Sequence, residues 1–420
     1  MSNLRRILYI LPQPVYPPDS GPKHHTFGLL KQITAKVECH VIGFSKNDQD
    51  SKAWNALEKV LPNLQVVRIV PQRKGAILAL KRLGYFFCFR PVSFCSFQSA
   101  DAVTALSELF ASTEYDLVHF DTFNVSAYRT LCSHKPTVLI PYDAFSMSAK
   151  RAIGIVKSQW HKLSYWWKWQ SYSRYEKSEY RKFTKVCAVS EVDTKWLLAE
   201  DAGIDAETIG IPVPDEFFAH SRRGYKVSQA PHIVVCGVLS HDAVAEGMIE
   251  FVEQIYPIIR AALPSARVTV WGRDPVPRLR RALARTPDIE QVGFVPDYRG
   301  YLESATIYVY PQRYGAGIQT KVQQPMALGI PIVTRQHVLD GLNAQSGIHA
   351  IACGDNVSMA HTITTLIQDD NLRARIGMAG AEHIREFFNG ETIGTKLEAV
   401  YKRAVDKHKR AHDNGRGSSA

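Results

Sequence analysis

The stretch YGAGIQTKVQQPMALGIPIVT, residues 314–334, sets a glycine-rich loop ahead of a helical and then a strand-like pattern. Thr320 followed three residues later by Gln323 has capping-box spacing, which predicts a helix opening near Lys321. A helix start presents unpaired backbone N–H groups and the positive end of a dipole, which suits a phosphate. Lys321 in the first turn adds charge where a leaving phosphate group would build up negative charge. Tyr314, Gly315, Gly317, Ile318, Gln319 and Thr320 are therefore candidate ligand contacts, with Gln324 one turn further in. Pro325 disfavours the helical conformation at Gln324 and would clash with the Lys321 carbonyl. Either the helix starts later than the capping box suggests or its first turn is distorted. The chain has neither a Walker P-loop nor a G-x-G-x-x-G fingerprint, so phosphate binding here is of another kind.

Other candidates close strand-like runs. PVYPPDSGPKHHT (14–26) carries Gly21 in a loop that either lets backbone approach a ligand or simply joins a strand to a helix. His24 and His25 are not a metal pair, since helical neighbours point about 100° apart and no third ligand is placed. VHFDTFN (118–124) places His119 and Asp121 at one strand end, and IPYDAFS (140–146) places Tyr142 and Asp143 at another. A carboxylate there can act as a base or support developing positive charge, or it caps a helix. Ser190 and Asp193 in SEVDTKWL have N-cap spacing. In the second half, CGVLSHD (236–242) carries Gly237, and WGRDP carries Arg273, which either holds a diphosphate oxygen or pairs with Asp274. The GFVPD loop, with Phe294 and Val295, either exposes backbone groups to a ligand or is a turn.

Parallel strands are the elements that would carry these residues. Apolar runs at 5–12, 37–45, 64–70, 116–121, 136–143 and 185–190, then at 232–238, 266–272, 307–311 and 330–335, alternate with helical patterns. Two such series predict two facing Rossmann-like α/β domains, residues 1–210 and 211–385, with a cleft at the carboxyl ends of their strands. The hinge falls in ETIGIPVPDEFF (207–218), where Gly210, Pro212 and Pro214 break both periods. Helices follow near the C-terminus, and residues 406–420 read as a disordered tail.

Composition narrows the class. At 420 residues, with 45% hydrophobic and 22% charged, this is a folded chain of more than one domain. No apolar run approaches a bilayer-spanning length, and Ile7–Leu11 before Pro12 is too short for a signal-peptide core. Seven cysteines without a C-x-x-C pair predict a reducing, cytoplasmic setting without structural zinc or disulfides. The net charge of +11 points to an acidic partner. No zinc-finger spacing, RNA-recognition octamer or basic zipper is present, so nucleic acid is not the expected one. Residues 73–91 and 150–183 mix basic and aromatic side chains, which predicts peripheral contact with an anionic membrane surface, the inner face of the plasma membrane. The alternative is aromatic residues in the core beneath a solvated charged face.

Together these pieces resemble glycosyltransferase family 4 of the GT-B superfamily. The resemblance runs through ILYILPQPVYPPDSGPKHHTFGLL, YEKSEYRKFTKVCAVSEVDTKWL, VVCGVLS, ARVTVWGRDPVP and VGFVPDYRGYLESATIYVYPQRYGAGIQTKVQQPMALGIPIVTR, covering about residues 5–405. It implies a retaining, metal-independent transferase, without a cofactor, that moves a sugar from a nucleotide-diphosphate donor to an acceptor hydroxyl. The acceptor would be a lipid-linked or glycan intermediate of bacterial exopolysaccharide, capsule or lipopolysaccharide assembly. By the resemblance the second domain binds the donor, the first binds the acceptor, and a helix at 386–405 returns to the first domain. Gly21 would approach the donor phosphate, Gly237 would lie in the donor site, and Arg273 and Lys321 would neutralise the diphosphate. Phe294 and Val295 would hold the base, and residues 314–320 and Gln324 would face sugar, phosphate and ribose. Asp143 is the first-domain carboxylate of choice, with Asp121 and His119 beside it. The chain departs from the family where the paired glutamates, eight positions apart, fall on Ala316 and Gln324. Those changes leave a non-catalytic nucleotide-sugar or glycan-binding protein as the alternative, and a nucleotide-sugar epimerase as a weaker one.

Overall fold

The computed structural model of the chain describes residues 4–72, 76–156, 158–218, 231–293, 295, 298–315 and 317–417. Two compact units result: one up to Pro212 together with Gly390 onward, the other Val213–Asn389. The boundary between Pro212 and Val213 lies inside the proline-rich segment at 207–218.

In the N-terminal unit seven strands, β1 (Arg6–Leu11), β2 (Glu38–Ser45), β3 (Leu64–Pro71), β4 (Leu117–Asp121), β5 (Thr137–Tyr142), β6 (Lys185–Ala188) and β7 (Ala206–Thr208), form one parallel sheet. Its order is β3-β2-β1-β4-β5-β6-β7. The second unit has β8 (His232–Cys236), β9 (Arg267–Trp271), β10 (Ile289–Val292), β11 (Ile307–Tyr310), β12 (Ile332–Thr334) and β13 (Ile351–Ala352). These are also parallel, in the order β10-β9-β8-β11-β12-β13. Central strands such as RILYIL, LVHFD and HIVVC are buried on both faces, as helices on both sides of a sheet require. Three edge strands, β7, β10 and β13, were not expected from the sequence, because none of them carries a continuous apolar run.

In each unit the strand order reverses once, between β1 and β4 and between β8 and β11. Loops leaving the carboxyl ends of those pairs diverge to opposite faces and open the position where such sheets take ligands. The β1–β4 register, Ile7 on Leu117 through Ile10 on Phe120, sets those ends level. Between Leu139 and Tyr142 the pairing of β5 with β6 slips, at Pro141, which has no N–H to offer the ladder.

The helix Gly390–Gly417 belongs to the N-terminal unit and covers most of the residues expected as a tail, through Gly417. Ile393, Leu397, Val400, Tyr401 and Ala404 recur at helical spacing and are buried. The Tyr401 hydroxyl lies 2.8 Å from the Tyr9 hydroxyl and 2.7 Å from His119 Nδ1. Lys36 pairs with Glu398 at 2.6 Å on the solvent side.

Two further helices, Phe145–Ile155 and Gln159–Glu179, pack against each other in the same unit. Where they meet, buried Glu176 accepts hydrogen bonds from the Ser146 backbone N–H at 3.0 Å and from the Ser146 hydroxyl. Trp196 Nε1 donates to that hydroxyl at 2.8 Å. Burial raises the Glu176 carboxyl to about 7, although both Ser146 hydrogen bonds pull it down. A folded value above the unfolded one means that its contribution is present in full below about 4.5 and is lost as pH rises through about 7. Glu176→Gln keeps one of the two accepting oxygens and removes the titration. Its melting temperature is therefore expected to gain on wild type between pH 5 and pH 8; a pH-independent difference would show that Glu176 is not buried as described.

Candidate functional site

The carboxyl ends of β4 and β5 hold the N-terminal set. Asp121 closes β4, almost fully buried, and accepts hydrogen bonds from Thr26 Oγ1 at 2.8 Å and from the Tyr142 hydroxyl at 2.9 Å. Thr26 lies on the helix Gly21–Thr34, whose first residue is the expected Gly21. The slip at Pro141 and a positive φ of 70° at Tyr142 turn that ring toward β4. Thr122, following Asp121, also has a φ of 70°. Non-glycine residues in this region store strain that the surrounding hydrogen bonds must hold, and such strain gathers at functional sites. Burial pushes the Asp121 carboxyl up to about 7, against the pull of Thr26 and Tyr142.

Asp143 differs from Asp121. It is half-buried, at the mouth of β5, and its carboxyl is raised to about 7 by burial and by the negative charge of Asp193. Asp193 itself is fully buried as part of a helix cap: it accepts from the Ala144 N–H at 2.8 Å, and its own N–H donates to Ser190 Oγ at 3.1 Å. Of the two strand-end aspartates, Asp143 is the less buried residue. A value near neutrality lets it exchange a proton at physiological pH.

His119 is placed differently from its expected catalytic position. It is buried two residues before Asp121, with its ring stacked on Tyr9 at 4.5 Å and Nδ1 against Tyr401. Burial, with the nearby His25, lowers it to about 3, so it is neutral and fastens the C-terminal helix instead of facing a ligand. His25 is also fully buried and lowered to about 3 by burial, with its ring edge toward Tyr142 at 5.2 Å. Neither of its ring nitrogens has a hydrogen-bond partner among the described residues.

In the second unit the loops after β8, β9 and β11 carry the candidates. Gly237 is buried directly after β8. Gly272, after β9, has φ +152°, and a Cβ there would lie 2.3 Å from the Gly237 carbonyl oxygen, so the two loops meet backbone to backbone. Arg273 follows on the exposed side, and Val295 is half-buried. Phe294 and Ala316 lie outside the described residues. After β11, Gln312 Nε2 donates to the Tyr314 carbonyl at 2.6 Å, closing a turn in which Gly315 and Gly317 have φ of 156° and 70°. Tyr314 and Ile318 are buried beneath it.

The helix after this loop runs Thr320–Ala327, and the capping box is not formed. Thr320 is the first helical residue; the cap is Gln319, whose side-chain oxygen accepts from the Tyr310 hydroxyl at 3.0 Å instead of capping. Pro325 sits inside the helix, and the first turn is tight: Val322 and Gln323 N–H both donate to the Gln319 carbonyl, at 2.8 and 3.0 Å. The helix thus starts no later than the capping box suggests, with an i−3 and an i−4 bond to the Gln319 carbonyl in its first turn.

Two side chains of this helix stand out. Lys321 Nζ lies 4.2 Å from the Tyr298 ring centroid and 5.4 Å from that of Trp271. The two rings are 4.9 Å apart. The ammonium is thus positioned by aromatic faces, which attract it without cancelling its charge. One turn on, Gln324 is 2% exposed, and its side-chain oxygen is buried without a donor among the described residues. A buried acceptor left empty costs about 1–3 kcal/mol, so the position is built for a donor from elsewhere. Trp271, which closes β9, and Tyr298, which caps the helix Arg299–Ser304, carry no signal in the sequence that pairs them with Lys321. Among the described residues no group of three His, Cys, Asp or Glu side chains is gathered as metal ligands would be.

Residues 230–369 match the family described as Glycosyl transferases group 1. Over 228 residues, 51% of the chain, the sequence is 26% identical to phosphatidyl-myo-inositol mannosyltransferase of Mycobacterium leprae, and the match spans 58% of that protein. Over 122 residues, 28% of the chain, it is 25% identical to the capsular polysaccharide biosynthesis glycosyltransferase CapM of Staphylococcus aureus, spanning 32% of it. The chain therefore covers less than two thirds of either relative. In three dimensions it resembles the crystal structure of Anabaena Alr3699/HepE in complex with UDP, with a TM-score of 0.65 and 13% identity. That likeness covers 94% of this chain and 99% of the other.

Proposed function

We propose that this chain, a family-4-like member of the GT-B superfamily of glycosyltransferases, transfers a hexosyl group with retention from a nucleoside diphosphate to an acceptor hydroxyl. It acts in the cytoplasm without a required metal, on a lipid-linked or growing glycan of bacterial exopolysaccharide, capsule or lipopolysaccharide assembly. The observation that carries this reading is the empty, buried Gln324 oxygen one turn from the Lys321 ammonium. A nucleoside diphosphate offers both a ribose hydroxyl to donate and a diphosphate to attract. The UDP complex of the Anabaena protein supports the donor class, and the names of the mannosyltransferase and of CapM support the acceptor class.

In this reading the bond that breaks joins the sugar's anomeric carbon to the diphosphate oxygen, and the electron pair leaves with the diphosphate. Lys321 and the positive end of the helix that begins at Thr320 stabilise that charge, with Arg273 as a further cation. Gly237, Gly315 and Gly317 let backbone approach the donor, while Val295 lines the base. Asp143 takes the proton of the acceptor hydroxyl or supports the sugar cation, and Asp121 positions Tyr142 next to it.

Incubation with UDP-, GDP- and ADP-sugars tests the reading: free nucleoside diphosphate is expected from one of them. Replacement of the paired acidic positions by Ala316 and Gln324 favours a second reading, a non-catalytic binder. It would show a donor-dependent thermal shift with no diphosphate released. An epimerase would interconvert the sugars without an acceptor.

Three substitutions sort the roles. Lys321→Ala is expected to lower kcat by about 3 kcal/mol of transition-state stabilisation, roughly 100-fold, with a smaller change in donor Kd; an unchanged kcat removes Lys321 from the mechanism. Asp143→Asn should keep donor affinity, cut turnover at least about 100-fold and abolish the rise in rate as pH increases through about 7. Wild-type turnover in that variant would exclude Asp143. Gln324→Ala should raise the donor Kd about tenfold, a contact of roughly 1–1.5 kcal/mol, whereas Gln324→Glu is tolerated. Isothermal titration that finds wild-type affinity in the alanine variant moves the ribose contact elsewhere.

A further inference from the structure

Among the described residues, seven of the sixteen exposed large hydrophobic side chains sit on just two helices of the N-terminal unit, Ala76–Phe87 and Gln159–Glu179. Trp160 is 82% exposed, and Leu80 and Phe87 are each 71% exposed. Leu80, Leu83 and Phe87 recur on one face of the first helix, and Trp160, Leu163 and Trp166 recur at three-residue spacing on the second. The two sets are joined: Phe86 stacks on Trp167 at 4.7 Å, and Trp167 Nε1 donates to the Phe86 carbonyl at 3.1 Å. Phe89 then bridges to Trp166, with ring centroids 6.1 Å apart. A contiguous apolar patch of this kind marks an interaction surface on a folded protein.

The charges that the two helices carry up to Glu176 are of one sign. Lys81 and Arg82 lie on the first helix, and Lys162, Lys168 and Arg174 on the second. Neither helix carries a carboxylate before Glu176, which is buried. Arg174 lies over the Phe89 ring at 4.7 Å, and Lys168 over Tyr165 at 4.7 Å, so the cations rise from the aromatic patch itself. A second copy of the chain would set these like charges against each other, which disfavours such pairing. An anionic bilayer matches both features, since lysine and arginine reach headgroups while tryptophan, phenylalanine and leucine enter the boundary below them. Among the described residues no helix is long and apolar enough to cross a membrane.

We infer that these two helices form a docking surface for an anionic lipid bilayer. The inference deepens the lipid-linked-acceptor reading and rests on it for its purpose, while the surface is argued from the N-terminal unit alone. The test is co-sedimentation of the full chain with phosphatidylcholine vesicles with and without phosphatidylglycerol. Binding is expected only with the anionic lipid and should weaken as salt rises, because the attraction is screened over about 10 Å at 0.1 M. The double variant Phe87→Ser, Trp160→Ser should lose about tenfold in vesicle partition at unchanged melting temperature, since both side chains are exposed. Unchanged partition in that variant, or equal binding to neutral vesicles at high salt, overturns the proposal. Self-association in sedimentation equilibrium that the variant abolishes also overturns it, because the patch then meets a second copy. Vesicle binding without release of nucleoside diphosphate from any donor would sink the transferase reading and leave the docking surface standing.

Discussion

A strand can follow its parallel neighbour only if the chain crosses back over the sheet, and much else here depends on that constraint. Each crossover delivers the next strand from the same end, so the carboxyl ends of a sheet collect all the loops that leave its strands. In the N-terminal unit this brings Asp121 and Asp143 onto adjacent strand ends, with Gly21 at the helix entered from β1. In the second unit it brings Gly237, Gly272 and the Gly315–Gly317 loop to the ends of β8, β9 and β11. Residues far apart in sequence thus become neighbours through topology before any side chain makes a contact. Burial of the central strands on both faces is what holds the arrangement, because a parallel sheet left open to water on one side would lose that apolar contact.

The legible part of the fold follows the same physics. Central strands were readable because burial on both faces demands a continuous apolar run, as in ILYIL and IVV. At the edges, β7 reads AET, β10 reads IEQV and β13 is only two residues long, and half-exposed strands need no such run. The helix opens at Thr320, beside Lys321 as its spacing suggests, yet the capping box is not formed. Thr320 and Gln323 have the right spacing, but Gln319 already caps the backbone, and its side chain is held by Tyr310 from the strand before. A tertiary hydrogen bond overrode a local signal, and nothing in the eight helical residues alone reveals it.

His119 shows a related limit. Residues 119 and 121 lie on one face of β4, so both meet the helices covering that face, yet their neighbours differ. Asp121 meets Thr26 on the helix entered from β1, and His119 meets Tyr401 on the helix that ends the chain. Tyr401 lies 282 residues away from His119, and only the return of that helix supplies the hydroxyl that makes a buried, neutral imidazole tolerable. A histidine at a strand end reads as chemistry until the covering helix is known.

The charge balance around Lys321 joins the two departures from the family pattern. A carboxylate at 324 would lie one turn from Lys321, within reach of an i, i+3 ion pair that would offset part of the ammonium's charge. With Gln324 there, that option is gone, and Tyr298 and Trp271 orient the ammonium by their ring faces instead. The helix begins at Thr320, so the positive end of its dipole lies in the same turn as Lys321. The result is a helix start with cationic and dipolar groups and no acidic residue in its first turn, favouring an anion strongly. What is given up is the strength of a charged acceptor, since an amide oxygen makes roughly half as strong a hydrogen bond as a carboxylate. In the proposed reading, the exchange moves donor recognition toward the diphosphate and away from the ribose. An arrangement of that kind suits a site whose main electrostatic task is to stabilise a group that gains negative charge as it leaves.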